Sequence, residues 1–195
     1  MPLAPLIPMM TTDYFSSVLS QTLLDQESIQ KRVEELGREI TRDFKNSSLC
    51  LCPLLNGGMI FAADLMREIA LPLTLLPLKA ASYGDGTKSS GSIDLPWGIP
   101  GAVAGKNILV VDDILDTGYT LQFLKRQLLD VGALSVSTCV LLHKEHAKDL
   151  PVDYSGFEIP NQFVVGYGLD FAGQYRNLPC IGIPRVTDCK TGQEP

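Results

Sequence analysis

Hydrophobic and polar positions change their spacing several times along the chain, and each change marks an element. From Ser28 to Phe44, Ile29, Val33, Leu36 and Ile40 recur every three or four residues with charges between them. That spacing predicts an amphipathic helix, which Asp25 or Ser28 can cap. "SLCLCPLL" is then a short apolar run closed by "NGG", and "MIFAADLMREI" returns to helical spacing, so the reading is strand, glycine turn, helix. "LPLTLLPLKAASY" predicts a further strand whose Pro72 and Pro77 put it at a sheet edge or delay its start, since proline has no amide to donate. "GDGTKSSGSIDLPWGIPG" has no period and predicts a long mobile loop; in compact domains loops of that length are usually functional or disordered. "NILVVDD" is a third strand, and "TLQFLKRQLLDVG" a helix with Leu121, Leu124 and Leu128 in register, closed by Gly132. "LSVSTCVLLHK" supplies a fourth strand and "QFVVGYGLD" a candidate fifth.

Near-continuous aliphatic strands alternating with amphipathic helices predict an α/β fold, a mainly parallel sheet flanked by helices on both faces. In such sheets ligands bind beyond the carboxyl ends of the strands. Helical signals fade beyond Pro151. Residues 1–195 are therefore read as a single domain, with a core over about 28–150 and a small lobe from about 151–195 joined by the N-terminal segment.

Composition narrows the partners. The formal net charge is −6 and there is no Lys/Arg block, which argues against nucleic acid as a partner. No apolar run approaches a membrane span, and the N-terminal "MPLAPLIPMM" has no basic residue of the kind that opens a signal peptide, so the expected setting is cytoplasmic. Cys50, Cys52, Cys139, Cys180 and Cys189 show no C-x-x-C spacing and are read as reduced thiols. His143 and His146 are the only histidines and, without a nearby cysteine pair, make a poor zinc site.

The chemistry gathers in "NILVVDDILDTGYTL", where a buried-looking run ends in three carboxylates, Asp112, Asp113 and Asp116. If residues 108–111 form a buried strand, Asp112 and Asp113 emerge at its carboxyl end, one toward each face. Thr117, Gly118 and Thr120 then lie in the turn into the next helix, where successive backbone N–H groups and two hydroxyls form a phosphate cradle. Carboxylates suit the vicinal hydroxyls of a ribose and a hydrated Mg²⁺. Alone, Asp116-Thr117-Gly118 is a common turn and helix cap; two further carboxylates after four aliphatics favour a site. No G-x-x-x-x-G-K-[ST] occurs, and "YGDGTKSSG" lacks the dinucleotide glycine spacing.

"ILVVDDILDTGYTL" resembles the phosphoribosyl-pyrophosphate motif of the type I phosphoribosyltransferases. Four further segments resemble the hypoxanthine-guanine branch of that family: "LLNGG" its pyrophosphate loop, "SYGDGTKSSG" its mobile catalytic loop, "LLHK" its purine-binding strand and "GFEIPNQFVVGYGLDFAGQYRNLPCIG" its hood. The resemblance implies the type I phosphoribosyltransferase fold with a small hood lobe, and transfer of a 5-phosphoribosyl group to N9 of a 6-oxopurine with release of pyrophosphate. It implies that Asp112 and Asp113 bind the ribose hydroxyls near Mg²⁺ and that Asp116 takes the proton from the purine ring. Thr117, Gly118, Tyr119 and Thr120 would wrap the 5′-phosphate, and Asn56, Gly57 and Arg176 the pyrophosphate. Lys144 would contact the purine O6, Phe163 stack on the ring, and Val164 offer its backbone to the purine edge, with Ile114 and Asp170 also lining the purine. Asp170 would further hold a second Mg²⁺ through water. Ser82 and Tyr83 belong to the loop that would close over the reacting centre. A homo-oligomer, dimer or tetramer, is also implied.

Several positions depart from the family pattern. Asp112 is shorter than the frequent glutamate, Tyr119 stands where many relatives carry lysine, Asn56 replaces a frequent Lys or Arg in a loop often linked by a cis peptide, and "PNQF" replaces a more usual "PDKF". None removes the implied base or the O6 donor. A nucleotide-sensing regulator on the same fold is the competing class, and a transferase preferring xanthine a closer alternative. The absence of a basic face argues against the regulator; Lys144, a donor only, disfavours adenine.

Overall fold

The computed structural model describes residues 15, 17–79 and 99–185, which fall into two compact units, residues 27–162 and residues 1–26 with 163–195. The elements in chain order are β1 (Leu19–Leu24), α1 (Gln26–Asp43), β2 (Leu49–Leu55), α2 (Gly58–Glu68), β3 (Leu73–Leu75), β4 (Leu78–Lys79) and α3 (Ile99–Val103). They continue with β5 (Asn107–Leu115), α4 (Tyr119–Asp130), β6 (Ser135–Lys144), a 3₁₀ turn (Glu145–Ala147), β7 (Tyr154–Ile159) and β8 (Ile181–Pro184).

In the larger unit six strands form one sheet in the order β3-β2-β5-β6-β7, with β4 also paired to β2, and every pairing is parallel. The sequence expects this class, because strands buried on both faces need unbroken aliphatic runs. Ile108 and Val110 share one apolar cluster with Leu121, Leu124 and Leu128 of α4. Alternation turns Leu109 and Val111, also fully buried, to the opposite face, where α2 lies on β2 and β5. Helix α1 buries Ile29, Val33, Leu36 and Ile40, the four residues its periodicity singles out. Pro77 interrupts the edge: β3 and β4 pair with β2 on either side of it, while Leu76 N donates to Leu51 O at 2.9 Å.

Two expectations change. Tyr154–Ile159, beyond the expected core boundary, is the last strand of this sheet. "YSGFEI" escapes notice because Ser155, Gly156 and Glu158 break the aliphatic run that identifies the other strands. Arg32 ties α1 to it, donating to Ser155 O at 2.8 Å and Gly156 O at 3.2 Å while pairing with Glu35 and Glu39. Arg32→Ala is expected to lower stability by about 1.5–3 kcal/mol, the range for hydrogen bonds to a charged group. Arg32→Lys should recover less than half, because an ammonium cannot reproduce the guanidinium fork. Urea titration of both variants checks this.

The candidate fifth strand, "QFVVGYGLD", is the other change. From Phe163 on it lies in the smaller unit, and Gly166, Tyr167 and Gly168 follow one another with φ of 103°, 49° and 103°, which no strand adopts. Val165 bridges to Gly182, exchanging hydrogen bonds with it, and Gly166 bridges to Leu169 across the turn. β1 and β8 form a two-stranded antiparallel sheet in this unit, over a core of Leu19, Val165, Leu178 and Cys180. Tyr167 is buried. Among the described residues no helix is long and apolar enough to cross a membrane. The glycine-rich loop, with Ser82 and Tyr83, and Cys189 lie outside the described residues, apart from the loop's last turn in α3.

Candidate active site

Three neighbouring strands of the larger unit, β2, β5 and β6, run parallel and deliver their carboxyl ends side by side. Parallel pairing does this regardless of how far apart the segments lie in the chain. β5 continues past the acidic pair to Leu115, so Asp112 and Asp113 stand within the strand rather than beyond it. Asp112 is paired in register with Val140, and Ile114, part-buried, with Leu142.

Asp113 is buried and Asp112 half-buried. Burial, reinforced by the neighbouring Asp113, pushes the Asp112 carboxyl well above the usual carboxylate range, although the Asp113 amide donates to its Oδ1 at 3.0 Å. Two adjacent carboxylates in a poorly hydrated place call for donors or a cation.

The turn after β2 presses directly on this pair. A β-carbon built on Gly57 would stand 1.8 Å from Asp113 Oδ2, and one on Gly58 2.7 Å from Val111 O, so only glycine lets the loop approach so closely. The Leu55–Asn56 peptide is cis, and the Asn56 side chain is exposed.

After β5 the chain passes through Asp116 and exposed Thr117 to Gly118, the N-cap of α4 at φ 73°. A glycine cap has no side chain to occupy the first-turn amides of α4, which suits an anion there. Tyr119, 77% exposed, and Thr120, also exposed, begin the helix.

Asp116 carries the feature that spacing alone does not reveal. Lys144 Nζ, at the end of β6, donates to Asp116 Oδ2 at 2.8 Å, and His146 Nε2, in the 3₁₀ turn that follows, lies 2.7 Å from Oδ1. A carboxylate only accepts, so His146 donates its Nε2–H. The Lys144 ammonium, with His146 adding to it, holds the Asp116 carboxyl below the usual carboxylate range. Lys144 has a side chain only 13% exposed, whereas Asp116 is 46% and His146 41% exposed, so the carboxylate remains open to a ligand. His143 donates from Nε2 to Ala147 O at 2.7 Å or accepts there by no route, since a carbonyl cannot donate; it is a satisfied buried histidine. His146 is the site residue that sequence reasoning missed. Its only signal is its place two residues beyond Lys144.

The remaining expected site residues belong to the smaller unit. Phe163 is 55% exposed and meets Phe171 edge to face, with centroids 5.8 Å apart. Val164 is buried. Arg176 pairs with Asp170 and donates to Gly168 O, and Asp170 also accepts from Gly173 N at 2.8 Å.

Among the described residues no three His, Cys, Asp or Glu side chains converge on one point. Hard carboxylate oxygens in adjacent pairs nevertheless fit Mg²⁺, which keeps several waters and typically takes one or two carboxylates plus substrate phosphates.

Comparison with known proteins shows the family. A family model described as a phosphoribosyl transferase domain matches residues 20–172. Hypoxanthine-guanine phosphoribosyltransferase of Dictyostelium discoideum is 42% identical over 168 residues, covering 83% of this chain and 93% of the relative. The protein of the same name from Bacillus subtilis (strain 168) is 38% identical over 167 residues, covering 85% and 93%. A crystal structure of a hypoxanthine phosphoribosyltransferase from Staphylococcus aureus superposes with a TM-score of 0.82 at 33% sequence identity, covering 91% of this chain and 98% of that one.

Proposed function

The chain belongs to the phosphoribosyltransferase family, and from that we infer a purine-salvage transferase that moves the 5-phosphoribosyl group of phosphoribosyl pyrophosphate to N9 of hypoxanthine or guanine. The products are IMP or GMP and pyrophosphate. The observation that carries the reading is the joining of Asp116 and Lys144 at the ends of neighbouring strands, a proton acceptor beside a donor.

In this reading the 5′-phosphate sits at the first-turn amides of α4, wrapped by Thr117, Gly118, Tyr119 and Thr120. Asp113 and Asp112 accept hydrogen bonds from the ribose hydroxyls, and Asn56 and Gly57 offer their turn to the pyrophosphate, with Arg176 as a further cation for it. Asp112 and Asp113 would hold Mg²⁺ and Asp170 a second Mg²⁺ through water; when bound, the metal offsets the charge growing on the departing diphosphate. As the bond from the anomeric carbon to the diphosphate oxygen breaks, that carbon gains oxocarbenium character and bonds to N9. The ring proton passes to Asp116. Lys144 has three N–H donors, so it can reach the purine O6 without abandoning Asp116. Adenine presents an amino group at that position, and an ammonium has no lone pair to accept from it. Phe163, half-exposed, stacks on the ring, and Val164 and Ile114 complete the purine contacts. A homo-oligomer, dimer or tetramer, working in the cytoplasm is part of the same proposal.

Incubation with Mg²⁺, phosphoribosyl pyrophosphate and one base at a time tests the reading. Nucleotide is expected from hypoxanthine and guanine and none from adenine. Turnover of adenine, or xanthine alone as substrate, would refute it.

A further inference from the structure

We propose that His146 is a positioning residue for the transfer, holding Asp116 by one carboxylate oxygen so that the other stays turned to the purine. The inference rests on the reading of Asp116 as the base. Asp116 lies past the end of β5, in a turn, with a half-exposed side chain; left alone, such a carboxylate rotates freely and is hydrated on both oxygens. Here each oxygen has its own donor, Lys144 on Oδ2 at 2.8 Å and His146 on Oδ1 at 2.7 Å, and two donors on different oxygens fix the carboxylate plane.

The two donors differ in what they must do next. Lys144 also serves the purine O6, so its hold on Oδ2 is shared once the base arrives, and Oδ2 is the oxygen that receives the proton. His146 has no second partner in the reaction. It stays on Oδ1 and keeps Oδ2 aimed while Lys144 is drawn toward the purine.

The ring is delivered from a firm base. His146 occupies the 3₁₀ turn Glu145–Ala147, and that turn is fixed from both sides. His143, buried at the end of β6, bonds to Ala147 O at 2.7 Å, Leu150 N donates to Ala147 O at 2.8 Å, and Lys148 N to Glu145 O at 3.3 Å. An orienting group set on a rigid support is what a well-aimed base requires.

The test compares His146→Ala, His146→Gln and Asp116→Asn with hypoxanthine and phosphoribosyl pyrophosphate. His146→Ala is expected to lower kcat by roughly 10-fold with the KM for phosphoribosyl pyrophosphate unchanged, a modest loss beside the ~10²-fold that a misplaced reacting group can cost. His146→Gln retains an N–H donor and should restore most of kcat. A wild-type kcat in His146→Ala, with Asp116→Asn impaired, overturns the inference and leaves Asp116 as base. A wild-type kcat in Asp116→Asn overturns both. Equal losses in the alanine and glutamine variants, or a higher KM for phosphoribosyl pyrophosphate in His146→Ala, would mark a structural role and also overturn it.

Discussion

Asp116→Asn should lower kcat by ~10-fold or more, toward the ~10²–10⁴-fold that a well-placed general base contributes, with little change in the KM for phosphoribosyl pyrophosphate. The substitution is nearly isosteric, and the new amide oxygen can still accept from Lys144 or His146. What disappears is the capacity to take a proton. Lys144 holds the Asp116 carboxyl below its usual range, so the wild-type group is ionised at neutral pH and ready to accept. The same pairing makes it a weak base in the free enzyme. Its strength has to rise when the purine displaces water and draws Lys144 toward O6. Steady-state kinetics with hypoxanthine, varying each substrate in turn, separates the two parameters. An unchanged kcat would remove Asp116 from the role of base.

Gly57→Ala should depress kcat/KM for phosphoribosyl pyrophosphate on the order of 10²-fold, the penalty for displacing a site by about an ångström. Gly57 has φ −60° and ψ −52°, a conformation that alanine adopts freely, so backbone strain is not the cause. Contact is. The added methyl would stand 1.8 Å from Asp113 Oδ2 and 2.5 Å from its Cγ, and Asp113 is buried at 9% exposure with little room to swing aside. Either the carboxylate or the turn must move, and both belong to the proposed sugar and pyrophosphate site. A double-mutant cycle isolates the mechanism: in an Asp113→Ala background the obstructing atoms are gone, so alanine at position 57 should add little further loss. Wild-type kinetics in Gly57→Ala, or strict additivity in the cycle, would refute the argument.

The elements legible from residue order are those whose signal is local. α1 and α4 present their apolar faces at Ile29, Val33, Leu36 and Ile40 and at Leu121, Leu124 and Leu128, because helical spacing depends only on near neighbours. β2, β5 and β6 announce themselves as aliphatic runs because both their faces are covered. β7 does not, since an edge strand can carry Ser155, Gly156 and Glu158 without burying them on two sides. "QFVVGYG" misleads in the opposite direction: its β-branched residues suggest a strand, while its glycines allow the left-handed turns the chain takes.

Residue order by itself determined the α/β class, the acidic strand end and the glycine turn after β2, because each is written in residues a few positions apart. Tertiary structure alone decided that Asp116 is gripped by Lys144, 28 residues away, and by His146 beside it, and that Gly57 lies against Asp113. Those contacts depend on parallel register, Leu115 opposite His143, and register is set by the packing of whole strands rather than by any short segment.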